Sequence, residues 1–336
     1  MNRPPLRVSA RAHPDRFIGA AIFLAAAALY IRTAGPTLGG AFDSEEFQHV
    51  AYNLNIAHAT GYPLYLLLGK IFATLVPIGN VAYRMNLLSA CLSAGAAVLV
   101  YLNALELTRR RLAAIATAAL FATNPAVWRQ AGVASVGPLH LLLVAAIVYA
   151  MLLWSAKRAP LSLALFLIGL GLAHHRTVLL LVPAIVIFVL IVDANILRRP
   201  RDIARGLFWL VMPLSLYLFI PIFGNNTPWY NNTLQDFVRE ISGGDAGGFV
   251  RSTPSEILQG IAITVQFLFD SFGYVGAALI ALGAISAAPR SQHSSNLPRD
   301  SRVSLFLGLA TLPFAIWGAL YAGEPDRYLV MPFVFL

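Results

Sequence analysis

Cysteine is all but absent from this 336-residue chain: there is one, Cys91. A lone cysteine inside an apolar run closes no internal disulfide and builds no cysteine zinc cluster, so it reads as a small packing residue. Charge is scarce too. Only 12% of residues are Asp, Glu, Lys or Arg, against about a quarter in an ordinary soluble domain. Familiar catalytic strings are missing as well. There is no Walker A loop, no H-E-x-x-H pair and no G-x-S-x-G elbow, and these three readings fall away with them. Acids are outnumbered, 15 against 24 Lys and Arg, for a net charge of +9. The basic residues do not share a polar face, so nucleic acid is excluded as a partner; they stand in short clusters between apolar runs.

What the chain has in quantity is apolar sequence: 58% of residues are hydrophobic and the mean hydropathy is +0.70. The expected fold is an all-α, polytopic integral membrane helix bundle of about nine or ten spans, one domain over residues 1–336. Arg3, Arg7, Arg11 and Arg16 precede the first apolar run, but Arg32 follows it and further spans come later, so an uncleaved first helix is expected rather than a signal peptide. Spans are expected at 17–34, 85–105, 112–127, 138–154, 206–223 and 303–321. Residues 161–192 read as two short spans meeting at His174-His175-Arg176. Residues 257–288 read as an interfacial or partly inserted helix followed by a span from about Phe272. Residues 63–79, short and bounded by Pro63 and Pro77, read as an interfacial or re-entrant helix. A tenth span starts at Tyr328 and stops after nine residues, so either the chain is truncated or this segment is not a span.

Alternating the sides from a cytoplasmic N-terminus places 16 of the 24 Lys and Arg, and only 5 of the 15 acids, on the cytoplasmic side. The other face then receives residues 35–83 as a large first loop, residues 128–137, the His174-His175-Arg176 hairpin, residues 224–255 as a second large loop, and residues 324–327. One face is equipped for chemistry and the other for anchoring. The membrane is the bacterial inner (plasma) membrane, or the endoplasmic reticulum if the chain is eukaryotic. Within the second loop, Thr233 to Ile241 is expected to form a short helix capped by Thr233.

The most informative stretch is residues 34–65, which holds Asp43, Glu45 and Glu46, then His49, His58 and a Gly61-Tyr62-Pro63 turn. A helix starting near Ser44 would explain Glu45 and Glu46 as ordinary first-turn acids. Asp43 is open to three readings: general base toward an attacking hydroxyl, ligand of a divalent cation, or cap. His58 can bind a polar substrate or simply sit at headgroup level. Arg84, Arg129, His174, His175, Arg176 and Arg327 stand at span ends on the same face. Arginine's fork of donors suits a lipid phosphate, and snorkelling to headgroups is the plainer account of any one of them. Asp270 is assigned no role beyond capping or lining a cavity.

With these residues in view, the chain resembles the GT-C-type membrane glycosyltransferases, and most closely the group first catalogued as domain of unknown function 2723, which includes a eukaryotic transmembrane protein O-mannosyltransferase. The matching strings are F-D-S-E-E-F at 42–47, N-I-A-H-A-T-G-Y-P-L-Y at 55–65, R-M-N-L-L-S-A at 84–90, N-P-A-V-W-R-Q-A at 124–131, G-L-A-H-H at 171–175, L-F-I-P-I at 218–222 and P-D-R-Y at 325–328. The first two are the specific ones. The resemblance implies a helix bundle whose first non-cytoplasmic loop carries an essential acid, by position Asp43, with Glu46 as the second acid. It implies a polyprenyl-phosphate-linked sugar as donor. Two places depart from the family: Ser135-Val136-Gly137-Pro138 stands where an acid-Val-Tyr string is usual, and Arg176 follows the His pair where the family is apolar.

The combined expectation is an inverting glycosyltransferase that moves mannose or another hexose or pentose from polyprenyl phosphate to a hydroxyl of a protein or glycan. Asp43 and Glu46 are the catalytic candidates. Glu45, His58, Tyr62, Arg84, Arg129, His174, His175 and Arg327 are the substrate-binding ones. No cofactor and no resident metal is expected, although the acid cluster leaves a divalent cation open. A transporter or flippase, which would favour ionisable groups deep in its spans, and a non-catalytic membrane scaffold are the rivals.

Overall fold

In the computed structural model, residues 12–41, 43–224, 227, 229–244, 250–287 and 299–323 are described. They form fourteen α-helices joined by turns and three 3-10 segments. Among them no strand forms, only an isolated antiparallel bridge between Val250 and Tyr321. Six helical stretches are long and apolar enough to cross a bilayer: residues 14–33, 81–108, 136–155, 200–223, 254–282 and 301–320. Four shorter apolar ones cover 63–75, 111–123, 161–172 and 176–192. The chain is a multi-pass membrane protein. Residues 161–192 form two short helices that meet at a turn over Ala173–His175, as expected, whereas the expected span 112–127 is divided at Asn124-Pro125, which ends one helix and begins another.

The long helix α4 (Val81–Thr108), after α1 (Ala12–Thr33), α2 (Ser44–Asn53) and α3 (Pro63–Leu75), is the axis of the bundle. It packs against α1, against α5 (Arg111–Thr123) and, past α6 (Pro125–Ala131), against α7 (Val136–Ser155). Its buried face includes Ala90, Ala94, Ala96 and Ala97, small side chains that let neighbouring backbones approach closely where lipid offers no hydrophobic drive. Tyr30 of α1 is fully buried and donates to the carbonyl of Ala122, a bond that satisfies its hydroxyl inside the bundle. At the far end of α4, Glu106 is 8% exposed and accepts from Arg109 at 2.8 Å and Arg158 at 2.6 Å, so a buried carboxylate is paired on both oxygens.

The remaining helices are α8 (Leu161–Leu172), α9 (Val182–Val192), α10 (Pro200–Val211), α11 (Phe219–Phe223), α12 (Leu234–Ser242), α13 (Pro254–Ala287) and α14 (Arg299–Leu320). Helix α13 is broken at Gly273, whose φ of 66° and ψ of 174° are non-helical, next to the expected boundary at Phe272. Helix α12 starts where the sequence placed it, with the Thr233 side chain accepting from the Asp236 amide. Asp270 lies exposed on α13 and accepts from Gln266 four residues earlier at 2.7 Å.

The first loop is fastened to the bundle by two buried amides. Gln48 exchanges both of its amide hydrogen bonds with the backbone of Gly39 and also donates to Asn86 Oδ1 at 2.9 Å. Asn86 in turn donates to the Gly35 carbonyl at 2.8 Å and accepts from the Ala134 amide at 2.7 Å. Gly35 and Gly132 add a backbone bond of 2.9 Å. These contacts bind residues 35–39, the start of α2, the wall of α4 and the turn before α7 to one point. Asn86→Ala would strip partners from Gln48, Gly35 and Ala134 in a dry setting, where an unsatisfied polar group costs about 1–3 kcal/mol. The expected result is a clearly lowered thermal unfolding midpoint in detergent; an unchanged midpoint would show that this clasp does not carry the loop.

Candidate active site

The clasp brings Asp43 to the mouth of the bundle as the residue preceding α2. It adopts the left-handed conformation, φ 59°, and makes no side-chain capping bond to the helix. Ser44 is the first helical residue rather than the cap, and its hydroxyl donates back to Ala41. The capping account of Asp43 is therefore not what the geometry shows. Leu54, which ends α2, and Tyr62, which precedes α3, are also left-handed, at φ 53° and 45°. An L-residue pays about 1–2 kcal/mol for that conformation, so three of them within twenty positions mark a loop whose shape the packing imposes. Gly40 at φ 127° is required where the chain passes Val133, since a Cβ there would lie 2.9 Å from a Val133 methyl.

Glu46 sits one helical turn after Asp43 and is joined to His58 twice: its Oε1 accepts the His58 amide at 2.8 Å, and its Oε2 pairs with the ring Nδ1. The other ring nitrogen, Nε2, lies 3.8 Å from Asp43 Oδ2 and 3.4 Å from the Tyr62 hydroxyl. One imidazole thus stands between the two acids. Exposure separates those acids: the Asp43 side chain is 39% exposed and that of Glu46 is 24%. Asp43 is the one an incoming molecule meets, and Glu46 is the one that fixes the imidazole. The His58 ring rests on Phe47 and Tyr62, with ring centres 5.8 and 5.3 Å away.

Behind Tyr62 lies a second polar group inside the apolar wall. His174 and His175 are buried at the end of α8, with ring centres 6.3 and 5.9 Å from Tyr62. Thr177 Oγ1 bridges His175 Nδ1 at 2.8 Å and His140 Nε2 at 2.9 Å. His174 Nε2 meets the carbonyl of Val136 at 2.9 Å. The Nδ1 atoms of His140 and His174 are buried without a hydrogen-bond partner. Phe47, Tyr65, Leu139, Phe219, Ile220 and Tyr230 make up much of the apolar wall around these groups. Among the described residues no three His, Cys, Asp or Glu side chains are grouped to hold a metal ion.

Of the candidates read from sequence, Asp43, Glu46, His58, Tyr62, His174 and His175 come together. Glu45 points outward, exposed on α2, near the Gly39 turn. Arg84 is not brought to the acids: its guanidinium donates to the carbonyls of Ala73 at 2.9 Å and Gly79 at 3.0 Å, closing the end of α3. Arg129 is exposed on α6, at the same end of the bundle. Arg176 donates to the Ser242 carbonyl at 2.8 Å and so ties α12 to the His turn. Arg327 lies outside the described residues.

Sequence reasoning missed Glu240, His140 and Thr177. Glu240 lies 194 residues beyond Glu46, on α12, whose Asp236, Phe237, Glu240 and Ile241 repeat at helical spacing; that stripe was the available signal. Only 5% of Glu240 is exposed, and its Oε1 has no hydrogen-bond partner. It faces Gly61, where a Cβ would come 3.6 Å from it. Burial raises its carboxyl from the ordinary 4.5 to about 7; His58 and Arg239 pull the other way and Glu46 adds to the rise. The folded state therefore holds a proton that the unfolded chain has lost between about pH 4.5 and 7. The contribution of Glu240 to stability falls as pH climbs through that window and levels off above it. Glu240→Gln should flatten this fall in the thermal midpoint measured from pH 5 to 8; parallel curves for the variant and the parent would contradict it.

Known proteins are similar to this chain in sequence and in fold. Residues 43–197, beginning at Asp43 itself, match the family model described as Protein O-mannosyl-transferase TMEM260 N-terminal domain. The chain is 24% identical over 299 residues to Protein O-mannosyl-transferase tmem260 of Dictyostelium discoideum, covering 79% of this chain and 36% of that protein. It is 29% identical over 213 residues to mouse Protein O-mannosyl-transferase TMEM260, covering 59% and 30%. The chain thus spans about a third of the length of these curated relatives. Among solved structures, ArnT from Cupriavidus metallidurans bound to undecaprenyl phosphate superposes with a TM-score of 0.63 at 13% identity, over 96% of this chain and 59% of that one. The S. cerevisiae protein O-mannosyltransferase Pmt1-Pmt2 complex bound to the sugar donor does so at 0.51 and 16% identity, over 72% and 36%. The chain is therefore a membrane protein of the GT-C glycosyltransferase fold, and its residues 43–197 match the N-terminal domain of the TMEM260 protein O-mannosyltransferases.

Proposed function

We propose that this chain is the membrane part of an inverting glycosyltransferase that moves a sugar, with mannose the first candidate, from polyprenyl phosphate to a hydroxyl of a protein or glycan. The observation that carries this reading is the Asp43–His58–Glu46 group, in which one imidazole stands between the more exposed Asp43 and the more buried Glu46. Asp43 takes the proton of the acceptor hydroxyl. The oxygen attacks the anomeric carbon, the bond from that carbon to the phosphate oxygen breaks, and the polyprenyl phosphate leaves with the electron pair. A positioned base of this kind contributes about 10²–10⁴ in rate. His58, held by Glu46, sits where a cation would stabilise charge on Asp43 or on the leaving phosphate.

The surrounding chemistry supports a sugar. A hexose carries several hydroxyls that donate and accept, and the Tyr62 side offers buried groups with spare capacity: His140 Nδ1, His174 Nδ1, Thr60 Oγ1 and Glu240 Oε1. The aromatic walls suit a sugar's apolar face. The activated sugar arrives on lipid, so no nucleotide-binding loop is required, and nothing in the residue set requires a resident metal or another cofactor. Charge patterning supports a cytoplasmic N-terminus, with these groups on the non-cytoplasmic face of the bacterial inner membrane or the endoplasmic reticulum. A transporter would spread ionisable groups through the depth of its spans. Here His140 is in the second turn of α7 and the His174-His175 pair follows the end of α8, so the group gathers at one end.

The test is transfer from labelled polyprenyl-phosphate mannose to Ser/Thr peptide and glycan acceptors by protein reconstituted in lipid. Asp43→Asn should lower turnover by about 10² or more while donor binding persists. Full turnover by that variant would remove Asp43 as the base. Donor binding without turnover by the parent protein would favour a carrier or a scaffold.

A further inference from the structure

The end of the bundle remote from Asp43 holds a cavity that the proposed transferase does not use. Helix α7 runs from the His140 region to Trp154, and a 20-residue helix is about 30 Å long. Helix α8 starts at this remote end and finishes at the His turn; α10 also starts here, and the chain after it returns to the site at Ile220. Between the α7–α8 turn and the turn into α10 lies a cavity of about 370 Å³. Its floor includes Trp154 and Leu165, and its charged lining is Lys157, Arg199 and Arg205 against Asp193 and Asp202.

The charges are not equivalent. Arg199 is committed to both acids, pairing with Asp193 and lying 3.5 Å from Asp202. Lys157 and Arg205 make no ion pair or side-chain hydrogen bond with any described residue, and both are exposed. The two acids are thus shared by one arginine, and two cations remain over a partly apolar cavity. That combination takes a singly charged anion attached to something apolar. The surroundings say what the apolar part is. Leu163 of α8 and Leu197, Ile203, Leu207 and Phe208 on either side of Arg199 and Arg205 are 37–68% exposed, forming hydrocarbon-facing surface beside the rim. The first turns of α10 carry Arg201, Asp202 and Arg205 among Ile203, Leu207 and Phe208, the mixture expected where the end of a spanning stretch meets the headgroups. Basic pockets between membrane helices recognise anionic headgroups in this way.

We propose that this cavity is a binding site for an anionic phospholipid of the bilayer, its phosphodiester held between Lys157 and Arg205 and its acyl chains lying along the exposed faces of α8 and α10. The inference stands whether or not the chain is a transferase, because it uses no residue of the Asp43 site.

The experiment uses the whole chain in phosphatidylcholine nanodiscs, with quenching of tryptophan fluorescence by brominated lipids and a Trp154→Phe variant to isolate the Trp154 signal. Brominated phosphatidylglycerol should quench Trp154 well above its bulk proportion, and brominated phosphatidylcholine should not. Lys157→Gln with Arg205→Gln should weaken the phosphatidylglycerol effect about tenfold, while Lys157→Arg preserves it. Millimolar inorganic phosphate should not displace the lipid. Equal quenching by the two lipids in the parent protein, which needs no variant, would overturn the proposal. So would an unchanged phosphatidylglycerol effect in the double variant, or displacement by inorganic phosphate, which would mark a site for a water-soluble anion.

Discussion

The Gln48–Asn86 clasp is the constraint on which the rest of this structure depends. A loop that carries several acids beside a bilayer has a problem: its backbone must be satisfied, yet it has to present charged groups rather than bury them. Two uncharged amides solve it. Each is almost fully buried, each uses both ends, and together they fix the Gly35–Gly39 turn, the first helix of the loop and the turn before α7 against α4. Because the amides carry no charge, their burial costs far less than that of an ion pair, and complete pairing recovers most of it.

The site so positioned is graded in polarity. Its outer member, Asp43, is open to solvent; Glu46 and His58 form a pair just inside; Tyr62 separates them from three buried histidines, two of which, His140 and His175, are bridged by Thr177. Glu240, coming from a different loop, adds a carboxyl held near neutrality by burial. Such a gradient separates the roles of chemically similar groups. A carboxylate in water ionises readily, a carboxylate paired to imidazole orients it, and a carboxyl in an apolar wall keeps its proton.

The two ends of the bundle differ in what they do with charge. At the Asp43 end, acids and imidazoles converge and the nearby arginines Arg84 and Arg176 are spent on backbone carbonyls that close helices and join loops. At the other end, arginines outnumber their partners. Glu106 is matched by Arg109 and Arg158, and Asp193 and Asp202 by Arg199, while Lys157 and Arg205 face a cavity. A helix bundle in lipid gains little from apolar burial between its own helices, so close packing of small residues and paired polar groups hold it instead.

The sequence by itself determined the membrane-helix class, the polar, turn-rich character of residues 34–65, the small helix after Thr233 and the break near Phe272. Each of these is written locally, in hydropathy, in turn residues or in capping chemistry. The placement of Asp43, Glu46 and His58 together was also legible, because they lie within sixteen positions and share one loop. What only the tertiary structure decided is long-range. Arg84 has the charge and address of a phosphate ligand, but the end of α3 takes its guanidinium. Glu240 sits in an ordinary-looking loop, and only the fold carries it to Gly61 and raises its proton affinity. His140 and Thr177 read as an apolar span and a turn until α7 and α8 pack side by side. Hydropathy records how much of a residue wants to leave water; it does not record which partner, a hundred positions away, will satisfy it there.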